Sequence, residues 1–441
     1  MTRLHPTLPS WVATASRGVG RRFLLLQGPI GTFFDQLAEQ LRRMGHEADR
    51  ITFNGGDKFF CSHKAPLEFS GDETQWPAFL ERTLASHQIT DIVLFGDCRP
   101  LHRVAIAIAE PLGIPVHVFE EGYLRPNWLT LEVGGVNRHS SLSRDPEWYL
   151  EHGGKLPKWH PGTPVINSFR RRATEDVLYR VSSLVRTRRF PGYKTHKPWN
   201  PLAEYRSGAK RFFLIPLAKA HNRKVTRRLI EDRTRYYILP LQLEADAQIR
   251  FHSRHGSMVP SIKQVIASFA QHAPTDAKLV VTEHPLDPGV INLRRLTLDT
   301  ARAHGLKDRI IDLHCGSSEP LLRASQGLVT VNSTIGMLAL EFGLPVKTVG
   351  HAIYDIPRLT FQGDLDHFWC AQDRPDPAVF ENFRKVVAAT SQINGGLYSK
   401  AAIQLAVSAA ANRLSEIYYR PVQRTAVDSP DIPASTQLRA G

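Results

Sequence analysis

Two short motifs, about 160 residues apart, carry the side chains best suited to chemistry: Glu120-Glu121-Gly122-Tyr123 and His284-Pro285. Each follows an apolar run that reads as a buried strand, Val116–Phe119 before the first and Leu279–Thr282 before the second. Ligands of open α/β sheets gather at the carboxyl ends of strands. Carboxylates on one sheet and an imidazole on another would then face each other across a cleft, one side serving a sugar acceptor and the other a nucleotide phosphate. Successive strand side chains point to opposite faces, so an ideal strand sends only one glutamate into the cleft, although a turn at Gly122 could bring both. Close like charges raise one carboxyl pKa, which suits a base near neutrality. A carboxylate can equally attack a sugar as a nucleophile. The plain structural alternative is an acidic loop paired with Arg125. Pro285 favours an extended His284, which would aim the imidazole at the cleft; a turn histidine is the alternative.

Other candidates sit at predicted strand ends. Asn332-Ser333-Thr334 precedes a helix opening at Ile335, where a Ser or Thr cap and free N–H groups favour a phosphate. Glu341, on the same helix, could accept from ribose hydroxyls or lie on the surface. Gln27-Gly28 and Asp97 end strands of the first half and fall on the same rim as Glu121. Gln27, Gly28 and Arg125 are the acceptor-side candidates, and Asp97 is a further catalytic carboxylate. Gln242 and Asp246 follow the first strand of the second half. The Asp364-Leu365-Asp366 pattern resembles a metal-binding pair, but a histidine and a helix N-terminus can neutralise phosphate alone, so no metal is expected.

The elements that position these residues alternate strand and helix. Strands are expected at Phe23–Leu26, Ala48–Phe53, Ile92–Phe95 and Pro115–Phe119, with a helix over 32–44. A second series follows, with strands at Arg235–Leu241, Lys278–Thr282, Arg309–Leu313, Gly327–Val331 and Pro345–Val349. This repetition implies parallel, doubly wound sheets. The expected organisation is a loose lead over 1–20, an acceptor-side α/β domain over 21–165, a basic helical linker over 166–230, a nucleotide-sugar domain over 231–395, and a closing helix with a loose tail over 396–441. Two Rossmann-type domains facing across a cleft describe a GT-B-like α/β fold.

The net charge of +14 is concentrated between Arg170 and Arg228, which hold 17 Lys and Arg against three acids. Such a segment attracts polyanions or an anionic membrane surface; a solvated linker with incidental charge is the alternative. Regular aromatic interleaving is missing from it, which argues against nucleic acid. No apolar run approaches the roughly 20 residues that span a bilayer, and the first residues do not read as a signal peptide. A cytoplasmic protein is expected. The cysteines Cys61, Cys98, Cys315 and Cys370 are scattered, with no C-x-x-C pair to suggest zinc or a disulfide framework.

At FLLLQGPIGTFF (23–34), VLFGDCRPLH (93–102), FEEGYLRPNW (119–128), LPLQLEADAQ (239–248), HPLDPG (284–289) and TVNSTIGMLALEFGLPVKTVGHAIYD (330–355) the chain resembles the capsule polysaccharide biosynthesis family. Within it, the shorter class of β-Kdo transferases that start the lipid-linked capsule terminus is the nearest in pattern. The resemblance implies a GT-B-like transferase using CMP-β-Kdo as substrate, without a further cofactor. It implies a phosphatidylglycerol-type acceptor, a peripheral position on the inner face of the inner membrane, and other capsule assembly proteins as partners. It places the acid of the reacting centre on Glu120 or Glu121, and the CMP phosphate on His284 with Ser333 and Thr334. Related Kdo transferases carry Glu-Asp-Gly here, so the longer Glu121 leaves open whether it attacks the anomeric carbon or acts as a base. The family is regarded as retaining, which favours attack. A non-catalytic adaptor of capsule export, or a transferase of another nucleotide sugar, are the competing readings.

Overall fold

The computed structural model describes residues 20–195 and 201–416, apart from 288, 315–317 and 372, with backbone alone over 201–214. All but the last residue of the expected lead over 1–20, the tail beyond 416 and Cys315 lie outside the described residues.

The strands are β1 (Arg22–Leu25), β2 (Glu47–Thr52), β3 (Leu67–Glu68), β4 (Asp91–Phe95), β5 (Val116–Glu121), β6 (Trp128–Val133), β7 (Tyr236–Pro240), β8 (Lys278–Thr282), β9 (Ile310–Leu313), β10 (Gly327–Thr330), β11 (Val346–Thr348) and β12 (Gln392–Asn394). They form a seven-stranded sheet, β12-β6-β5-β4-β1-β2-β3, and a five-stranded sheet, β11-β10-β7-β8-β9. The second is parallel throughout, as expected. The first is parallel from β5 to β3 but ends in antiparallel pairings of β6 with β5 and with β12. Two predominantly parallel, helix-covered sheets make this a GT-B-like α/β protein of Rossmann type.

Near-continuous apolar strands are what a sheet buried on both faces requires. Leu24, Ile92 and Val118 pack with Trp76 and Phe53 under one helical layer. Phe23, Val93 and Phe119 pack on the other face against Phe33, Phe34 and the helix Lys400–Glu416. The Phe33, Phe34 and Phe119 rings meet at 5.3–5.8 Å; such aromatic pairs contribute roughly 0.5–1.5 kcal/mol each beyond burial. They anchor β5, the strand that delivers the acidic pair. The closing helix and β12 thus belong to the first sheet, although the chain reaches them through the second. A third core, joining Tyr123, Leu124 and Tyr149 to Ile238, Val280 and Phe383, ties the two lobes together.

The amino ends of the central strands are fixed by a buried ionic cluster. Arg21 Nε donates to Asp91 Oδ2 at 2.9 Å and His117 Nε2 lies 2.8 Å from Asp91 Oδ1. The carboxyl ends are left to build the site.

The basic segment opens with the helix Phe169–Val185. It lies so close on the short helix Gly55–Phe59 that a Cβ at Gly55 would stand 2.1 Å from the Ser182 carbonyl. Tyr179 seals the contact, donating to Asp57 Oδ1 at 2.9 Å and accepting from Asn54 Nδ2 at 2.7 Å. Its outer face is apolar and exposed at Val177, Val181, Leu184 (75%) and Val185 (76%), flanked by exposed Arg170 and Arg188.

Candidate functional site

β5 runs two residues beyond the expected strand and includes both glutamates. Glu120 pairs with Thr130 and Glu121 with Leu129 of β6, so their side chains leave opposite faces of the strand end. Both nevertheless lie within electrostatic reach of the second lobe: the Glu121 charge bears on His284 and Asp246, and the Asp246 charge on Glu120. The glycine that follows is required sterically, because a Cβ at Gly122 would stand 2.1 Å from the Trp128 carbonyl. The next residue is pinned by Tyr123 N donating to Gln392 Oε1 at 2.9 Å and Tyr123 OH donating to Glu132 Oε1 at 2.7 Å. The antiparallel edge strands thus hold the acidic turn in place.

The two carboxyls differ in environment. Glu121 is half-buried at the cleft and ion-paired with Arg125 at 2.9 Å. Protein packed around Glu120 withdraws its carboxyl from water and, with the Glu121 and Asp246 charges, raises its pKa to about 8, against the backbone N–H of Glu121 that donates to Oε1 at 2.9 Å. Near neutrality Glu120 is therefore chiefly protonated. Since its folded pKa lies above the ordinary 4.5, the unfolded chain ionises first and stability falls as pH rises from about 4.5 to about 8. Glu120→Gln should remove this slope: thermal unfolding followed from pH 5 to 8 will show the variant gaining steadily on the wild type. A constant offset would contradict the assignment.

His284 follows β8 across the cleft. Its Nδ1 accepts the Leu286 N–H at 3.1 Å, which leaves the ring proton on Nε2, free to donate. Desolvation lowers its pKa, with Arg125 and Arg172 in the same direction and Asp287 and Glu121 opposing. A neutral imidazole with Nε2–H is a hydrogen-bond donor rather than a cation. Arg172, from the basic helix, brings positive charge to the same place, stacked 5.0 Å over Tyr398. The exposed Pro285 opens the turn at Pro285-Leu286, closed by Asp287 N donating to the His284 carbonyl at 3.0 Å.

The structure therefore brings together Glu120, Glu121, Arg125, Asp246 and His284. The other expected residues have the following surroundings. Asp97 is buried, accepting from Val136 N at 3.1 Å and His139 Nδ1 at 2.9 Å. Burial alone would raise its pKa, but the hydrogen bonds of His139 and His252 hold it well below the usual carboxylate range. Gln27 donates within a buried network to Asp57, Tyr179 and Tyr193 at 3.1–3.2 Å. Gly28 is needed because a Cβ would meet the Phe34 ring at 2.7 Å, which is a packing reason rather than close approach of a ligand. Gln242 and Asn332 bond reciprocally, Nε2 to Oδ1 at 2.8 Å and backbone N to Oε1 at 3.2 Å, and so join the ends of β7 and β10. Ser333 Oγ accepts only a long contact from Ile335 N at 3.4 Å, and Thr334, the N-cap residue, makes no side-chain cap bond. Glu341 ends the helix Ile335–Glu341 and pairs with Arg384 at 3.2 Å on the surface.

Sequence reading did not single out Arg172, nor His139 and His252, which enclose Asp97 and Cys98. Residues 97, 139 and 252 are far apart in the chain, and no local pattern links them. His284 lines a cavity of about 950 Å³, together with Leu217, Asn292, Arg295, Arg302 and His314 among others.

The family model described as capsule polysaccharide biosynthesis protein matches residues 90–398. The capsule polysaccharide export protein KpsS of Escherichia coli is 38% identical over 384 residues, covering 86% of this chain and 97% of that protein. The capsule polysaccharide modification protein LipB of Neisseria meningitidis serogroup A is 34% identical over 397 residues, covering 86% and 91%. Among solved structures, Thermosulfurimonas dismutans KpsC, a β-Kdo 2,7 transferase, aligns with 89% of this chain and 100% of that one, at a TM-score of 0.39 and 13% identity. A family match across most of the chain, with relatives above 30% identity along nearly their whole length, establishes that this chain belongs to the capsule polysaccharide biosynthesis family.

Proposed function

We propose that the protein is a glycosyltransferase that moves Kdo from CMP-Kdo to a phosphatidylglycerol-type lipid at the inner face of the inner membrane. The observation that carries this reading is the pairing, across one cleft, of a carboxylate at the end of β5 with a neutral imidazole at the end of β8.

In this mechanism Glu121 attacks the anomeric carbon of the bound donor, and the carbon–oxygen bond to the CMP phosphate breaks. His284 Nε2–H donates to the departing phosphate oxygen, with Arg172 supplying positive charge. The lipid hydroxyl then attacks the anomeric carbon as the bond to Glu121 breaks, releasing the carboxylate, and its proton passes to solvent; two inversions give net retention. The protonated Glu120 buttresses Glu121 through its backbone N–H. Two carboxyls kept in different protonation states divide the work between nucleophile and support.

The helix Phe169–Val185 suits a lipid acceptor. Its exposed apolar residues can enter the headgroup boundary, while each arginine near an anionic surface adds about 1 kcal/mol. Among the described residues no helix is long and apolar enough to cross a membrane.

The test is incubation of the protein with CMP-Kdo and lyso-phosphatidylglycerol, following CMP release and the mass of the lipid. The expected result is CMP formation matched by a Kdo-bearing lipid. A well-folded protein that releases no CMP would overturn the reading. The word "export" in the name of the E. coli relative favours a second reading, an adaptor that binds glycolipid without turnover; in that case Glu121→Gln leaves capsule production unchanged.

A further inference from the structure

Cys98, His139 and His252 each offer one ligand atom, and these atoms lie within 4.8 Å of one another. Cys98 and His139 come from the first lobe, after β4 and β6, and His252 from the second, after the short helix Ala247–Arg250. Cys98 Sγ and His252 Nε2 stand 3.3 Å apart. Around a tetrahedral zinc ion, sulfur and nitrogen ligands stand about 3.5 Å apart, so this pair needs almost no rearrangement. The His139 and His252 rings meet edge-on at 5.2 Å between centroids.

The surroundings fit a metal as well as the ligands do. Asp97 Oδ2 takes the Nδ1 proton of His139 at 2.9 Å, which leaves Nε2 of that ring as the electron-pair donor. A carboxylate that orients a histidine in this way is the usual outer partner of a metal-bound imidazole. Asp97 Oδ1 accepts the Cys98 S–H at 3.1 Å and lies 3.6 Å from His252 Nε2. When the thiol gives its proton to solvent on binding a cation, that hydrogen bond ends and Oδ1 is available as a fourth ligand. The polar contacts of the buried His252 side chain to Cys98 and Asp97 are made by Nε2, while Nδ1 is buried without a partner among the described residues.

The geometry points to a site for a zinc-like divalent cation built from Cys98, His139 and His252, with Asp97 beside it, clamping the two lobes at the floor of the cleft. Nitrogen and sulfur donors select zinc over magnesium or calcium. The site lies next to the proposed reacting centre but does not depend on that reading, because its ligands are not the residues that would touch the sugar.

The test uses the full-length protein, stripped of metal and titrated with Co²⁺ and then Zn²⁺. Wild type should take up one Co²⁺ per chain, with a near-ultraviolet thiolate-to-cobalt band and the strong visible absorption of tetrahedral cobalt, and Zn²⁺ should abolish both. Cys98→Ser should eliminate the thiolate band. His139→Ala, at an exposed position, should weaken binding at least 10-fold, and Asp97→Asn by about 10–100-fold. Absence of saturable binding to wild type, or binding that His139→Ala and Cys98→Ser both leave intact, would overturn the proposal. Neither result bears on whether CMP is released from CMP-Kdo.

Discussion

Glu121→Gln should abolish the proposed sugar transfer while leaving the fold intact. The side chain is half-exposed at the end of β5 and its salt bridge to Arg125 is a surface one, so losing the charge costs little stability. The amide keeps the shape but cannot form the glycosyl ester. Turnover measured as CMP release should fall by about 10³-fold or more, the scale expected when a catalytic group is lost. His284→Ala should cost about 10²–10³-fold, as for removal of one donor to a developing anion. Because the two act on one bond, the double variant should be scarcely slower than Glu121→Gln alone. Wild-type rates in Glu121→Gln would remove the glutamate from the reaction, and full additivity would place the two residues in different sites.

The largest effect on stability is expected at the opposite end of the same strands. Asp91 is 1% exposed and holds both Arg21 and His117. Burial by itself would raise its pKa, but the hydrogen bonds and charges of His117 and Arg21 carry it down to about 2. A depressed carboxyl stabilises the fold above its ordinary pKa, and this contribution drains away as pH falls from about 4 to about 2. Asp91→Ala strands a buried guanidinium, a change that typically costs about 3–5 kcal/mol. Urea unfolding at pH 7 should show that loss, and the variant should lack the wild type's decline between pH 4 and pH 2. A loss below about 1 kcal/mol would mean that the cluster is not what holds β1, β4 and β5 in register.

Much of this arrangement was legible in the sequence, for identifiable reasons. Parallel strands buried on both faces are short apolar runs, and β8, Lys278–Thr282, was predicted to the residue. The helix Met258–His272 carries the same kind of signal, since its buried positions Ile262, Val265, Ile266 and Phe269 recur at helical spacing. The polar ends of such runs supplied Glu120, Glu121 and His284. β6 and β12 were not legible. β6 follows an acidic turn without a hairpin dipeptide, and β12 is three residues whose partner strand lies more than 250 positions away. Gln27, Gln242 and Asn332 show the limit of reading sites from strand ends. An amide there can face a ligand or bond its neighbour, and only the fold reveals that each has a protein partner. The cluster around Asp97 was missed for the same reason, since it exists only once two lobes meet.

The central claim is that one bound donor is shared between a carboxylate of the first lobe and an imidazole of the second. A crystal structure of the protein soaked with CMP tests it most directly. The account predicts the phosphate within hydrogen-bonding distance of His284 Nε2, with its departing oxygen turned toward Glu121. CMP seated instead at the Arg295 and Arg302 end of the cavity that His284 lines, with its phosphate beyond hydrogen-bonding distance of Nε2, would contradict it.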